Sequence, residues 1–261
     1  MRSRLLPLAL PALFFVTALL YAAVGFGGGS TYNALLVLSG ADYRILPAIA
    51  LICNIIVVSG GVWRFSRAGH ISLKRLAPFL ITSVPAAWIG GRLLVSEEVF
   101  IGLLGASLLL AGLRLLFENP APDTDTPDTE TRWIASGLVG GGIGFLSGLV
   151  GIGGGIFLAP VLYLWRWGGA REIAGAASLF ILVNSISGLL GQITKLGDMS
   201  LLSSLGAYWL LFPAVLIAGQ IGSHLGSERL PAKLVKRLTA VLILYVAIRL
   251  VYRWLMMTGV F

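Results

Sequence analysis

The sequence predicts an all-α polytopic membrane protein made of two tandem repeats, read as inverted. Its transmembrane helices are broken at glycines, and about 8 to 10 membrane segments are expected from the apolar runs. Three observations predict this. The chain is 57% hydrophobic and only 11% charged, with a mean hydropathy of +0.92, whereas a soluble domain carries about a quarter charged residues. The pentapeptide Gly25-Phe26-Gly27-Gly28-Gly29 recurs 126 residues later as Gly151-Ile152-Gly153-Gly154-Gly155, each time after a long apolar stretch. The apolar runs also follow one order on either side of a short acidic segment.

Taken in order, the first run covers residues 5–24 and follows Arg2 and Arg4. It has the start of a signal peptide, but it is longer than a usual h-region and lacks a small-x-small cleavage site. It also has a counterpart at 133–150, so it is read as a transmembrane helix. After the first glycine break come a short run at 30–39 and longer runs at 44–63, 76–95 and 99–117. Residues 1–117 form the N-terminal transmembrane repeat. Residues 118–131 hold five of the eleven acids and three prolines, a composition that cannot pack a core and reads as a solvated linker. Residues 132–261 form the second repeat, with runs at 133–150, 156–165, 173–194, 201–222 and 238–256. Landmarks agree across the halves: Asn54 with Asn184, Gly61 with Gly191, Gly69-His70-Ile71-Ser72 with Gly197-Asp198-Met199-Ser200, and Pro85 with Pro213.

The short runs at 30–39 and 156–165 are half the roughly 20 residues needed to cross the hydrocarbon core. Each is a half-helix of a broken span or the short arm of a hairpin. Counting each as a crossing gives five per half, an odd number, and inverted halves. The basic clusters Arg64, Arg67, Lys74, Arg75 and Arg229, Lys233, Lys236, Arg237 then share a side with Arg114, Arg132, Arg166 and Arg171, which is 12 of the 19 Lys and Arg residues. Four crossings per half would strand the second cluster on the opposite side. The positive-inside rule therefore favours inverted repeats, a common plan in secondary transporters.

A helix break inside a bilayer exposes backbone groups that lipid cannot satisfy, so it persists only where protein or a solvated cavity protects it. The glycines at 25, 27, 28 and 29, and at 151, 153, 154 and 155, are read as such breaks. The helix that follows each begins with free N–H groups and the positive end of its dipole, an arrangement suited to an anion. Gly25, Gly27, Gly28, Gly29, Gly151, Gly153, Gly154 and Gly155 are thus expected at a substrate site, together with Asn33, Asn54, Ser178 and Asn184. These polar side chains lie in apolar runs, where an unpaired amide costs a few kcal/mol, roughly. Asn54 and Asn184 either donate to a bound oxyanion or satisfy carbonyls freed by the breaks. The bland reading of the glycines is close helix packing.

Other classes fit less well. The six acids outside the linker sit at segment ends, and carboxylates within spans are the usual proton relays and cation sites. An anion held by neutral donors suits the sequence better. A pI near 10.1 and a net charge of +8 come from scattered topology signals rather than a basic face, so nucleic acid is not expected as a partner. The lone Cys53 cannot form an intramolecular disulfide, and His70 and His224 lack the neighbours of a metal site. No cofactor is expected. Arg92 and Gln220 close equivalent helices, with Arg92 expected to snorkel toward the interface. An intramembrane enzyme using Ser147 and His224 is disfavoured because no recognisable nucleophile motif surrounds Ser147, and a passive anion channel is the remaining alternative.

The stretch Gly151-Ile152-Gly153-Gly154-Gly155-Ile156-Phe157-Leu158-Ala159-Pro160-Val161-Leu162, with Ala177-Ser178-Leu179-Phe180 downstream and the same layout in the first half, resembles the TauE/SafE family of sulfite-exporter permeases. The first half departs from that pattern, with Asn33-Ala34 in place of Ala159-Pro160. The resemblance implies a multi-pass permease of the cell (plasma or inner) membrane. It would move small inorganic or organosulfur anions such as sulfite, sulfonates or thiosulfate, with the lipid bilayer as its surroundings and a homodimer as a candidate assembly.

Overall fold

The computed structural model describes residues 6–23, 25–117, 133–196, 205–228 and 232–259. The linker at 118–131 and the landmark Gly197-Asp198-Met199-Ser200 lie outside the described residues. Among those described there are ten α-helices: α1 (Leu6–Ala23), α2 (Gly29–Leu38), α3 (Leu46–Arg67), α4 (Leu73–Arg92), α5 (Glu97–Phe117), α6 (Trp133–Val150), α7 (Gly155–Leu164), α8 (Ala170–Leu196), α9 (Leu211–Glu228) and α10 (Ala232–Met257). Most begin and end within a few residues of the apolar runs. The run at 201–222 is the exception: a 3₁₀ turn, Gly206–Tyr208, precedes a helix that starts only at Leu211. Pro213 explains the late start, since a proline in the first turn lacks an N–H that would have no partner there. Charge placement helps α5, which has Glu97 and Glu98 in its first turn and Arg114 in its last, each favourable to the helix dipole.

By length and apolarity, Leu46–Arg67, Trp133–Val150 and Ala170–Lys195 are able to cross a membrane. The outer surface is apolar as well: Leu13, Ile81, Leu94, Leu110, Ile134, Leu138, Val241 and Ile248 are all exposed. An apolar surface of this extent is stable only against an apolar solvent or a partner. The protein is a membrane protein.

Helix directions follow from which residues meet. Two helix pairs that join the halves run antiparallel. On α3 and α8, Leu51 lies by Gly188, Gly61 by Ser178 and Phe65 by Gly175; on α5 and α10, Gly102 lies by Trp254 and Gly105 by Val251. Helix α4 runs parallel to α6, with Phe79, Ser83 and Ala87 against Gly140, Gly144 and Gly148. A Cβ at any of those three glycines would overlap α4 backbone, so only glycine permits this approach. Packing is exchanged between halves: α4 of the first lies on α6 of the second, and α9 of the second lies on α1 of the first.

The short helices are hairpin arms. Phe14 stacks on Tyr32 with ring centroids 4.6 Å apart, and the Tyr21 hydroxyl sits 2.7 Å from Thr31 Oγ1, so α2 folds back along α1. In the second half Phe79 touches both Gly140, midway along α6, and Trp165, just past α7. The chain has therefore turned back toward the end from which α6 started. At that end Gly175 packs on Phe65, His70 and Ile71, and the Arg75 guanidinium lies 4.2 Å from the centroid of the Trp167 ring. Arg64, Arg67, Lys74, Arg75, Arg166 and Arg171 thus gather at one end of the bundle. At the other end, Arg253 reaches Glu97 at 3.0 Å and the Val37 carbonyl at 2.9 Å.

Candidate functional site

Both glycine segments are buried and interrupt the helices with left-handed glycines, Gly25 and Gly28 in the first, Gly151, Gly153 and Gly154 in the second. After α1, Phe26 N–H donates to Tyr21 O at 2.9 Å and Gly25 N–H to Ala22 O at 3.1 Å. This is the Schellman closure of a helix C-terminus, and it puts Gly25 in the left-handed region. After α6, Gly151 and Ile152 both donate to Ser147 O, at 2.8 and 3.2 Å. Gln192 Nε2 takes the Gly148 carbonyl at 2.9 Å. The next helix starts from a left-handed N-cap in each half, Gly28 at φ 88° and Gly154 at φ 81°, where a β-branched residue would be strained.

The two breaks lie side by side, clasped by side chains from the opposite half. Asn33 of α2 donates to Val150 O at 2.8 Å and Gly151 O at 3.1 Å. Asn54 of α3 donates to Ile152 O at 3.1 Å. Ser178 of α8 donates to Gly25 O at 2.8 Å. A Cβ on Gly27 would overlap Asn54 Oδ1, and one on Gly29 would overlap Asn54 Nδ2 and come within 2.9 Å of Gly151 O. One on Gly153 would lie 2.7 Å from Asn54 Nδ2 and 3.1 Å from Ser185 Oγ. Asn54 therefore touches both breaks. Asn33, Asn54 and Ser178 are buried, and their donors go to carbonyls that the breaks release.

The N–H side is different. Among the described residues, the amides of Gly27, Gly28, Gly29, Ser30 and Thr31 have no acceptor, and neither do those of Gly153, Gly154, Gly155 and Ile156. Two first turns, each carrying the positive end of a helix dipole, begin within one buried region.

The expected residues are thus brought together, with one exception. Asn184 is buried on α8, but its Nδ2 donates to Phe180 O of the same helix at 2.8 Å, not to either break. Arg92 is exposed, its guanidinium 4.4 Å from the centroid of the Trp88 ring, and Gln220 accepts from Arg64 Nη2 at 3.2 Å. Sequence reasoning missed a polar cluster on the first hairpin. The Tyr21 hydroxyl meets Thr31 Oγ1 and, at 3.4 Å, Ser30 Oγ. The Tyr32 hydroxyl, fully buried beside Gly28, has no partner among the described residues, nor has Ser185 Oγ beside Gly153. The uninterrupted polar run Ser30-Thr31-Tyr32-Asn33 right after the glycines was the available signal. Ser147 is buried in α6, and its carbonyl closes the second break.

Comparison with known proteins agrees with this arrangement. The family model described as sulfite exporter TauE/SafE matches residues 10–250. A probable membrane transporter protein of Sinorhizobium fredii is 33% identical over 242 residues, covering 92% of this chain and 96% of that protein. A probable membrane transporter protein of Methanocaldococcus jannaschii is 26% identical over 191 residues, covering 69% of this chain and 70% of the other. No solved structure matches. With transporters as its relatives and a matched family model over nearly its whole length, the chain belongs to the sulfite exporter TauE/SafE family.

Proposed function

We propose that the protein is a secondary transporter of small sulfur-containing anions such as sulfite, sulfonates or thiosulfate, working by alternating access in the cell membrane. The observation that carries this reading is the imbalance at the paired breaks. Released carbonyls are satisfied by Asn33, Asn54, Ser178 and Gln192, while two sets of first-turn N–H groups are left over. An excess of buried donors at two helix N-termini favours negative charge. The family description supplies the class of anion.

Antiparallel α3 and α8, and antiparallel α5 and α10, support inverted repeats related by an axis in the membrane plane. In that arrangement the end carrying Arg64, Arg67, Lys74, Arg75, Arg166 and Arg171 faces the cytoplasm. Each hairpin enters from one side and meets the other near the middle. Rocking one pair of exchanged helices against the other would open the shared site to each side in turn.

The test is counterflow of labelled sulfite in proteoliposomes containing the purified full chain. A carrier gives saturable uptake that unlabelled sulfite on the far side accelerates. Unsaturable flux, with large conductance in planar bilayers, would identify a channel instead and overturn alternating access.

A further inference from the structure

We infer that the site selects singly charged oxyanions that carry their own O–H, such as hydrogensulfite, over dianions and over monoanions without a donor. The inference rests on the proposed anion site and narrows it. N–H donors alone would suit any oxyanion, sulfate included, but the same buried region also holds acceptors with nothing to accept. Among the described residues Asn54 Oδ1, beside Gly27, has no partner, and neither has Asn33 Oδ1. Their orientation is fixed, because each Nδ2 is spent on carbonyls of the second break and a flipped amide would set oxygen against oxygen.

Two further fully buried groups there, Tyr32 Oη and Ser185 Oγ, lack partners among the described residues and are able to give or take a hydrogen bond. An unpaired amide oxygen at 0% exposure is costly to leave. A fully deprotonated anion offers it only lone pairs, and so repels it. An anion with one O–H offers acceptor oxygens to the first-turn amides and a donor to Asn54 Oδ1 or Ser185 Oγ. A site built to bond a substrate hydroxyl rejects the analogue without it strongly, because its own polar groups are then left bare.

The experiment uses the full chain in proteoliposomes, with labelled sulfite as substrate and methanesulfonate or sulfate as competitors. Methanesulfonate matches hydrogensulfite in charge and approximate size but has a methyl group where the latter has O–H. Sulfite flux is expected to rise as pH falls from about 8 to about 6, in step with the hydrogensulfite fraction. Methanesulfonate and sulfate are expected to compete at least about a hundredfold more weakly than sulfite at the lower pH. Ser185→Ala should shrink that preference about tenfold. Tyr32→Phe, which keeps the stack on Phe14, is the second variant should the first not fold.

Equal competition by methanesulfonate, or flux that follows the dianion, would overturn the inference while leaving anion transport standing. Sodium-dependent flux that methanesulfonate inhibits as well as sulfite does would assign the bare acceptors to a cation, with the same consequence. If no sulfur oxyanion is carried at any pH, the anion site itself falls, and this inference with it.

Discussion

The two glycine breaks share left-handed turns at Gly25 and Gly28 and at Gly151 and Gly154, the second adds a left-handed Gly153, and the side chains around them differ more than the turns do. Around the first are Tyr21, Ser30, Thr31, Tyr32 and Asn33; at matching places around the second are Ser147, Ile156, Phe157, Leu158 and Ala159. The long arms differ too. Helix α1 has no glycine, whereas α6 carries Gly137, Gly140, Gly141, Gly142, Gly144 and Gly148, three of which press on α4 backbone. The difference teaches a division of labour. Each half supplies a left-handed cap and a row of amides; the short arm of the first adds polar groups where the short arm of the second is apolar, and the long arm of the second packs tightly on α4.

The strongest way to break this comparison is to attack the frame. A Cβ at Gly148 would overlap the Ala87 carbonyl and Cα, and backbone cannot step aside as a side chain can. Gly148→Leu should cost at least about 3 kcal/mol and abolish the monodisperse peak in detergent chromatography. Gly142→Leu, with nothing within 4 Å of its Cβ position, is the control and should behave as wild type. A well-folded Gly148→Leu protein would refute the close seam.

Next in size are the helix starts at the breaks, the first residue of α2 and the cap of α7. Gly29→Val drives a branched side chain toward Gly151 O and Asn54, and Gly154→Val adds a left-handed backbone to overlap with Phe180 and Ile143. Both chains should still enter the membrane, because the long apolar helices are untouched, while initial sulfite flux drops about a hundredfold, a loss of about 2.7 kcal/mol. If flux falls for only one of them, the halves do not share one site.

A sharper and smaller contrast lies between the two matched asparagines. Asn54→Leu removes a donor to Ile152 O and should cost about 1–3 kcal/mol, seen as a lower melting temperature in detergent, together with lost transport. Asn184→Leu loses a bond to a carbonyl in its own helix and should cost less than about 1 kcal/mol. Equal losses would mean that Asn184 also serves the breaks.

This contrast marks what the sequence could tell. The breaks, their pairing and the place of Asn33, Asn54 and Ser178 were legible, because three consecutive glycines and isolated amides are both expensive in an apolar run. The equality of Asn54 and Asn184 was not, since register alone says nothing of which way a side chain turns on its helix. Nor could length separate a half-helix from a hairpin arm at 30–39. It takes contacts such as the stack of Phe14 on Tyr32, between residues 18 apart, to show the chain reversing. Ser185 stayed hidden because a serine within a helix usually returns its hydroxyl to a carbonyl one turn back.

The smallest effect tests whether the frame is only a frame. Thr82 Oγ1 donates across the α4–α6 seam to Gly137 O at 2.7 Å, and hydrogen bonds of this kind between membrane helices average about 0.6 kcal/mol. Thr82→Val keeps the shape and loses the bond, so the melting temperature should fall slightly while sulfite flux stays within about twofold of wild type. Motion would then be confined to other contacts, such as that of α1 with α9, where Gly222 approaches Leu19 backbone. A large change in flux at nearly unchanged stability would mean that α4 slides on α6 during transport. The glycine row would then be a track rather than a weld, because small residues that let two helices approach closely also let them move past each other without side chains interlocking.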